Sequence, residues 1–137
     1  MTPATALPVE LQVLAWSVML LFGHIVLQSG LATLETGLPY NAGPRDDDRL
    51  PRGVYARRAQ RALANFLETY PAFIALAVAL AISGRAGGTG AQGALFWIGA
   101  RVVYVPLYLA GVPYVRTLAF GVSIWGLIRM FEQLLWP

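Results

Sequence analysis

The chain has 137 residues, 57% of them hydrophobic and only 12% charged, a balance that excludes an ordinary water-soluble domain and fits a single integral membrane domain. It contains no cysteine, which excludes disulfides, thiolate metal sites and a cysteine nucleophile, so any thiol chemistry needs a thiol from elsewhere. The net charge of +3 rests on arginine alone and is concentrated in one region, which bears on membrane topology and argues against a nucleic-acid partner.

A helix needs about 20 apolar residues to cross the hydrocarbon layer. Such runs are predicted at 9–34, 57–83, 94–110 and 114–136, giving an all-α, integral membrane four-helix bundle as one domain over 1–137. The first run has no basic segment ahead of it and is longer than a signal-peptide core, so it reads as a span, with Pro8 suited to a helix start. At about 100° per residue its Ser17, His24, Gln28 and Glu35 share one face, the pattern of side chains that hydrogen-bond across a bundle. A direct chemical role for His24 is the lesser alternative.

Residues 36–54, rich in proline and glycine and carrying Arg45, Asp46, Asp47, Asp48 and Arg49, read as a polar loop outside the bilayer. Span two opens with Arg58, Arg61, Asn65 and Glu68 on one narrow stripe. It also holds Pro71, which deprives the Leu67 carbonyl of its helical partner, a break that fits a binding site or a packing kink equally. The glycine-rich residues 84–93 read as a flexible turn. Span three sets Arg101, Tyr104 and Tyr108 on one face, and Gly111-Val112-Pro113 makes a tight turn into span four. Arg116 lies in the first turn of span four, and Arg129 with Glu132 forms an expected interfacial ion pair near its end. Arg45, Arg49, Arg52, Arg57, Arg58 and Arg116 gather on one side, against Arg85 and Arg129 on the other. The positive-inside rule therefore predicts cytoplasmic first and third connections and termini on the opposite side.

If spans two and three form an antiparallel hairpin, Arg61 lies level with Tyr108, Asn65 with Tyr104, and Glu68 with Arg101. One reading is a buried polar network that fixes helix register. The other starts from the surplus of cations, since Arg58, Arg61, Arg101 and Arg116 face only Glu68 as an intramembrane acid. Buried charge without a counter-ion is costly, and arginine forks suit carboxylates and phosphates, so an anionic ligand is expected. Small residues such as Gly99, Ala119 and Ser123 are expected to permit close helix contacts.

The joint pattern Arg58-x-x-Arg61-Ala-x-x-Asn65-x-x-Glu68-Thr-Tyr-Pro71, then Arg101-x-x-Tyr104-x-x-x-Tyr108 and Arg116, resembles the MAPEG family, the membrane-associated proteins of eicosanoid and glutathione metabolism. The resemblance covers spans two to four. It implies a homotrimer of four-helix subunits with glutathione held between subunits near the cytoplasmic leaflet. The implied reactions are conjugation of glutathione to lipophilic electrophiles, reduction of lipid hydroperoxides, or isomerisation of eicosanoids. Position by position, Arg61, Asn65, Glu68, Tyr104 and Tyr108 are similar to glutathione ligands, with Glu68 for the amino group and Arg61 for a carboxylate. Arg58 and Arg101 join that binding set, Arg101 resembling a family arginine of structural role, while Arg116 resembles the arginine that stabilises the thiolate and Tyr104 is the rival donor. No metal is implied.

Departures from the family pattern are Arg57 in place of glutamate, Leu63 in place of a polar residue, and Thr69 in place of tyrosine. An arginine near the end of span one is also missing, unless Arg45 substitutes for it. These departures point away from eicosanoid specificity and toward a general bacterial-type member in an inner membrane, with periplasmic termini and a site toward the cytoplasm. The leading expectation is a glutathione-dependent transferase or peroxidase acting on lipophilic substrates. A non-catalytic module binding a lipid or anionic metabolite is the alternative, and an ion pathway, for which Glu68 is the single acid at hand, is the least favoured.

Overall fold

The computed structural model describes residues 6–137. The elements are α1 (Val9–Thr36), α2 (Leu38–Ala42), α3 (Val54–Ile82), α4 (Gly88–Ala110) and α5 (Pro113–Leu135), with no strand among the described residues. Four of them, α1, α3, α4 and α5, are long and apolar enough to cross a membrane. Two differences from the sequence expectation stand out. The proline-containing segment after α1 folds into the short helix α2, with Pro39 in its first turn, where a missing N–H costs nothing. The glycines at 88, 90 and 93 lie inside α4, so that helix begins at Gly88 instead of Ala94 and the turn before it shrinks.

Glycine is a poor helix former, and here packing overrides propensity. A Cβ on Gly93 would lie 2.4 Å from the carbonyl oxygen of Gly126, and one on Gly126 would lie 2.5 Å from the carbonyl oxygen of Gly93. Backbone therefore meets backbone where α4 crosses α5, the most extensive helix pairing in the molecule. Ser123 is buried on α5, whereas Gly99 faces open space in the single chain.

The second large pairing is α1 on α3. The side of α3 that faces inward carries Ala56, Ala59 and Ala62 and then Phe66, Tyr70 and Phe73, a helical stripe that widens from small to aromatic. The Trp97 ring lies flat on Phe73, with centroids 3.8 Å apart and planes 2° from parallel, and Phe66 and Tyr70 pack around it. From α1, Ser17 shares a 2.8 Å hydrogen bond with the Tyr70 hydroxyl, and His24 stacks on Phe66 at 4.9 Å. The polar face of α1 does what such faces do in bundles, joining helices through buried hydrogen bonds and ring contacts.

Each end of α1 also carries a carboxylate that serves backbone N–H groups of another segment. Glu10, fully buried, accepts from the Gly87 N–H at 2.7 Å just ahead of α4, and Glu35 accepts from the N–H groups of Arg52 and Gly53 at 2.8 Å each just ahead of α3. Helix N-termini leave such donors unmet, and an anion there is favourable. Contacts of Gln133 with Thr89 and with the Arg85 carbonyl bring the end of α5 to the same side as Glu10 and the α3–α4 turn. The loop before α3 and the α4–α5 turn lie together at the other side, where Arg58 reaches the Leu109 carbonyl.

Candidate functional site

Between those two ends, one turn beyond Trp97, α4 presents Arg101. It is 1% exposed, and both of its terminal nitrogens are committed to α3. Nη1 donates to Oδ1 of Asn65 at 2.7 Å, and Nη2 donates to the Thr69 hydroxyl. Asn65 and Thr69 are one helical turn apart on the same stripe, so a single guanidinium fork spans both. Arg101 therefore meets α3 within the turn that holds Glu68, near the expected level, but its partners are Asn65 and Thr69 and not Glu68. Glu68 lies about 100° around the helix from Thr69 and is exposed, and it forms no ion pair among the described residues.

The rings of Tyr104 and Phe120 lie 5.7 and 5.2 Å from the Arg101 guanidinium carbon, within the range of cation–π attraction. Tyr104 is buried and leads to Tyr108, with ring centroids 5.4 Å apart. Arg116, in the first turn of α5, places its guanidinium carbon 4.8 Å from the Tyr108 ring centroid. Asn65, Arg101, Tyr104, Tyr108 and Arg116 thus form one continuous column along α3, α4 and α5. Arg116 has no acid partner among the described residues, and its charge is held by a ring face alone.

The remaining residues of the expected set stand apart from that column. Arg58 ends at the α4–α5 turn, donating to the Leu109 carbonyl at 2.8 Å, one of the acceptors an α-helix leaves open at its C-terminus. A Cβ on Gly111, which has φ +75°, would lie 2.6 Å from the same guanidinium, so glycine serves both the left-handed turn and the arginine's seat. Arg61 is exposed on α3, its Nε donating weakly at 3.3 Å to the Arg57 carbonyl. Arg61 and Glu68 therefore sit on the outer side of α3 as it appears in a single chain, while Asn65 faces inward to Arg101.

Pro106 interrupts α4 between Tyr104 and Tyr108, as Pro71 interrupts α3 just beyond Thr69, so two of the three helices that carry the column each have a carbonyl that loses its helical N–H partner. Sequence reasoning missed two contributors. Thr69 was visible only as a departure, although its i, i+4 relation to Asn65 signals a shared partner, and Phe120 carries no sequence signal beyond being aromatic. An apolar groove of about 250 Å³ on the α4–α5 pair includes Gly99, Val103, Leu107, Val115 and Ala119, and none of the column residues lines it.

Chemically, the column supplies a fixed cation at Arg116, two phenol hydroxyls and one amide. That set can bind and stabilise an anion, and its arrangement on membrane-crossing helices defines a class of membrane protein with a polar site inside a helix bundle. The model of the MAPEG family matches residues 13–136, and the chain belongs to that family. It is accordingly an all-helical integral membrane protein of a glutathione-related family. No curated protein and no solved structure matches the chain.

Proposed function

We propose that the protein is a membrane-bound, glutathione-dependent transferase or peroxidase acting on lipophilic electrophiles or lipid hydroperoxides. The observation that carries this reading is the Arg116 guanidinium, lying over the Tyr108 ring with no acid partner among the described residues, while the Tyr108 ring in turn packs against that of Tyr104. A free thiol of pKa about 8.5 is mostly protonated at neutral pH, and a nearby guanidinium in a partly dehydrated site favours the thiolate. The thiol proton is lost to water on activation. The sulfur then forms a C–S bond with an electrophilic carbon, whose leaving group or opened ring oxygen takes the displaced electron pair.

In this reading Arg61, Asn65, Glu68, Tyr104 and Tyr108 bind glutathione, with Glu68 taking its amino group and Arg61 a carboxylate. Arg58 and Arg101 support the binding set from behind, and Arg116 stabilises the thiolate. The outward-facing Arg61 and Glu68 fit a site completed by a neighbouring chain, and we assign the assembly as a homotrimer with α3 near its axis. The arginine-rich loop before α3 lies toward the cytoplasm by the positive-inside rule, with both termini on the periplasmic side of a bacterial inner membrane. Native mass spectrometry in detergent checks the assembly, and a lone monomer would sink it.

The test of function is to titrate glutathione into the purified protein in detergent and record the ultraviolet thiolate band. A band that saturates with bound glutathione, together with turnover of a model electrophile, is expected. Binding with no band would favour a non-catalytic module of the same fold that holds an anionic metabolite.

A further inference from the structure

Arg101 is closed off in a way that limits what it can do. Its Nη groups are spent on two neutral acceptors of α3, and its Nε is buried without a hydrogen-bond partner among the described residues. The rings of Tyr104 and Phe120 cover the guanidinium. Two of its five N–H bonds are used, and at 1% exposure the others are closed off from the surface of the chain, so Arg101 is not placed to grip a ligand directly.

Its effect on Asn65 is specific. A guanidinium only donates, so the atom of Asn65 that meets it has to be the carbonyl oxygen, and the amide has one orientation instead of two. The half-buried amide consequently turns Nδ2 away from Arg101, and that NH₂ donates to no other described residue.

We infer that Arg101, braced by Thr69, is a positioning residue that locks the Asn65 amide so that Nδ2 is offered as a pure donor to an acceptor oxygen of glutathione, a peptide carbonyl or a carboxylate. The inference rests on the glutathione reading above and deepens it. Arg101 acts through Asn65 and does not touch the ligand. At this point the site selects a group that accepts, and the ligand's ammonium has to be held elsewhere, where the exposed Glu68 is available.

Asn65→Asp separates this role from a purely structural one. The substitution keeps the oxygen that Arg101 needs and adds a negative charge beside a buried guanidinium, but it replaces the outward donor with an acceptor. By isothermal titration with glutathione, affinity should fall by about 10-fold or more, because the ligand's acceptor then meets an unpaired oxygen. By thermal unfolding, the midpoint should match or exceed that of the wild type. Arg101→Gln should also weaken binding, and adding it to Asn65→Ala should cost nothing further, since no amide is left to position. Thr69→Val should lose a few-fold in affinity, and Thr69→Ser should restore it, a pair that still tests the idea if Arg101→Gln does not fold. Wild-type binding combined with unchanged affinity in Asn65→Asp, or with additive losses in the double variant, would overturn the positioning role and leave the glutathione reading standing. A wild type that does not bind glutathione would overturn that reading together with the ligand assigned here.

Discussion

On either side of Arg101 the same two helices, α3 and α4, run through surroundings of opposite character. Toward the α3–α4 turn the large groups pack on partners within the chain, although Trp97 Nε1 and Glu10 Oε2 are buried without a hydrogen bond among the described residues. Trp97 lies on Phe73, Ser17 meets Tyr70, Glu10 meets the Gly87 N–H, and Gly93 and Gly126 bring two backbones together. Toward the arginine-rich loop the groups remain incomplete. Arg116 rests on a ring, Arg61 and Glu68 point outward, and the Asn65 NH₂ has no acceptor among the described residues. Fold and composition do not explain the contrast, since helices of one kind build both halves. The closed half holds the helices in register, and the open half keeps polar groups unpaired at fixed positions, which is the condition for binding something the chain does not contain.

The strongest way to break this comparison is to remove the centre of the closed half. Trp97→Ala deletes a fully buried ring that touches Phe66, Tyr70 and Phe73. It should cost about 3–5 kcal/mol of stability, as aromatic truncations in packed cores do. Thermal unfolding in detergent would measure the loss. Below the new midpoint, glutathione should still bind within a few-fold of wild type, because none of its proposed ligands is altered. Loss of binding without loss of stability would mean that the two halves are not separate in function.

The next effect sharpens the open half. Arg116→Ala removes the one cation of the column that is free of acid and amide partners, while Asn65, Tyr104 and Glu68 stay in place. Glutathione should be held with similar affinity, the thiolate band should weaken markedly, and turnover should fall by about 10-fold or more, equivalent to roughly 1.4 kcal/mol per decade. Tyr104→Phe is the control for the rival donor. If it abolishes the band while Arg116→Ala leaves it intact, the phenol activates the sulfur and Arg116 does not.

The two halves were unequally legible in the sequence. The spans were visible because hydropathy needs only composition and length, and the shared face of Arg101, Tyr104 and Tyr108 because a helix has a fixed period, whereas the stripe of Arg58, Arg61, Asn65 and Glu68 divides, with Asn65 turned inward and Arg61 and Glu68 outward. A fixed period does not say which members of a broad polar stripe turn inward, and on α3 they differ from those expected, since Thr69 meets Arg101 while Glu68, about 100° further round in the same turn, is exposed. The start of α4 was hidden as well, because its glycine run reads as a turn until Gly93 is seen against Gly126. Glu10 was equally hidden, because a single acid near a helix start gives no sign that its partner is the distant Gly87 N–H. Long-range capping is a property of the assembled bundle.

The smallest effect tests whether charge matters in the closed half at all. Arg129 pairs with Glu132 at 2.6 Å, three residues along α5, and its guanidinium lies 5.8 Å from the Trp125 ring. The two charged side chains are 32% and 43% exposed, so water screens them, and ordering two long side chains offsets part of the gain. The part of Arg129 that packs against the crossing is its Cβ, 3.0 Å from where a Cβ on Gly93 would stand, and alanine keeps that atom. Arg129→Ala should therefore cost less than about 1 kcal/mol, and the coupling between Arg129→Ala and Glu132→Gln in a double-mutant cycle should be of the same size. Glutathione turnover should not change, because the pair lies at the far end of α5 from Arg116. A coupling well above 1 kcal/mol would show that this end is drier than its exposure indicates. The closed half would then depend on an ion pair as well as on packing, and the contrast with the open half would lie in how its charges are partnered and not in whether it has any.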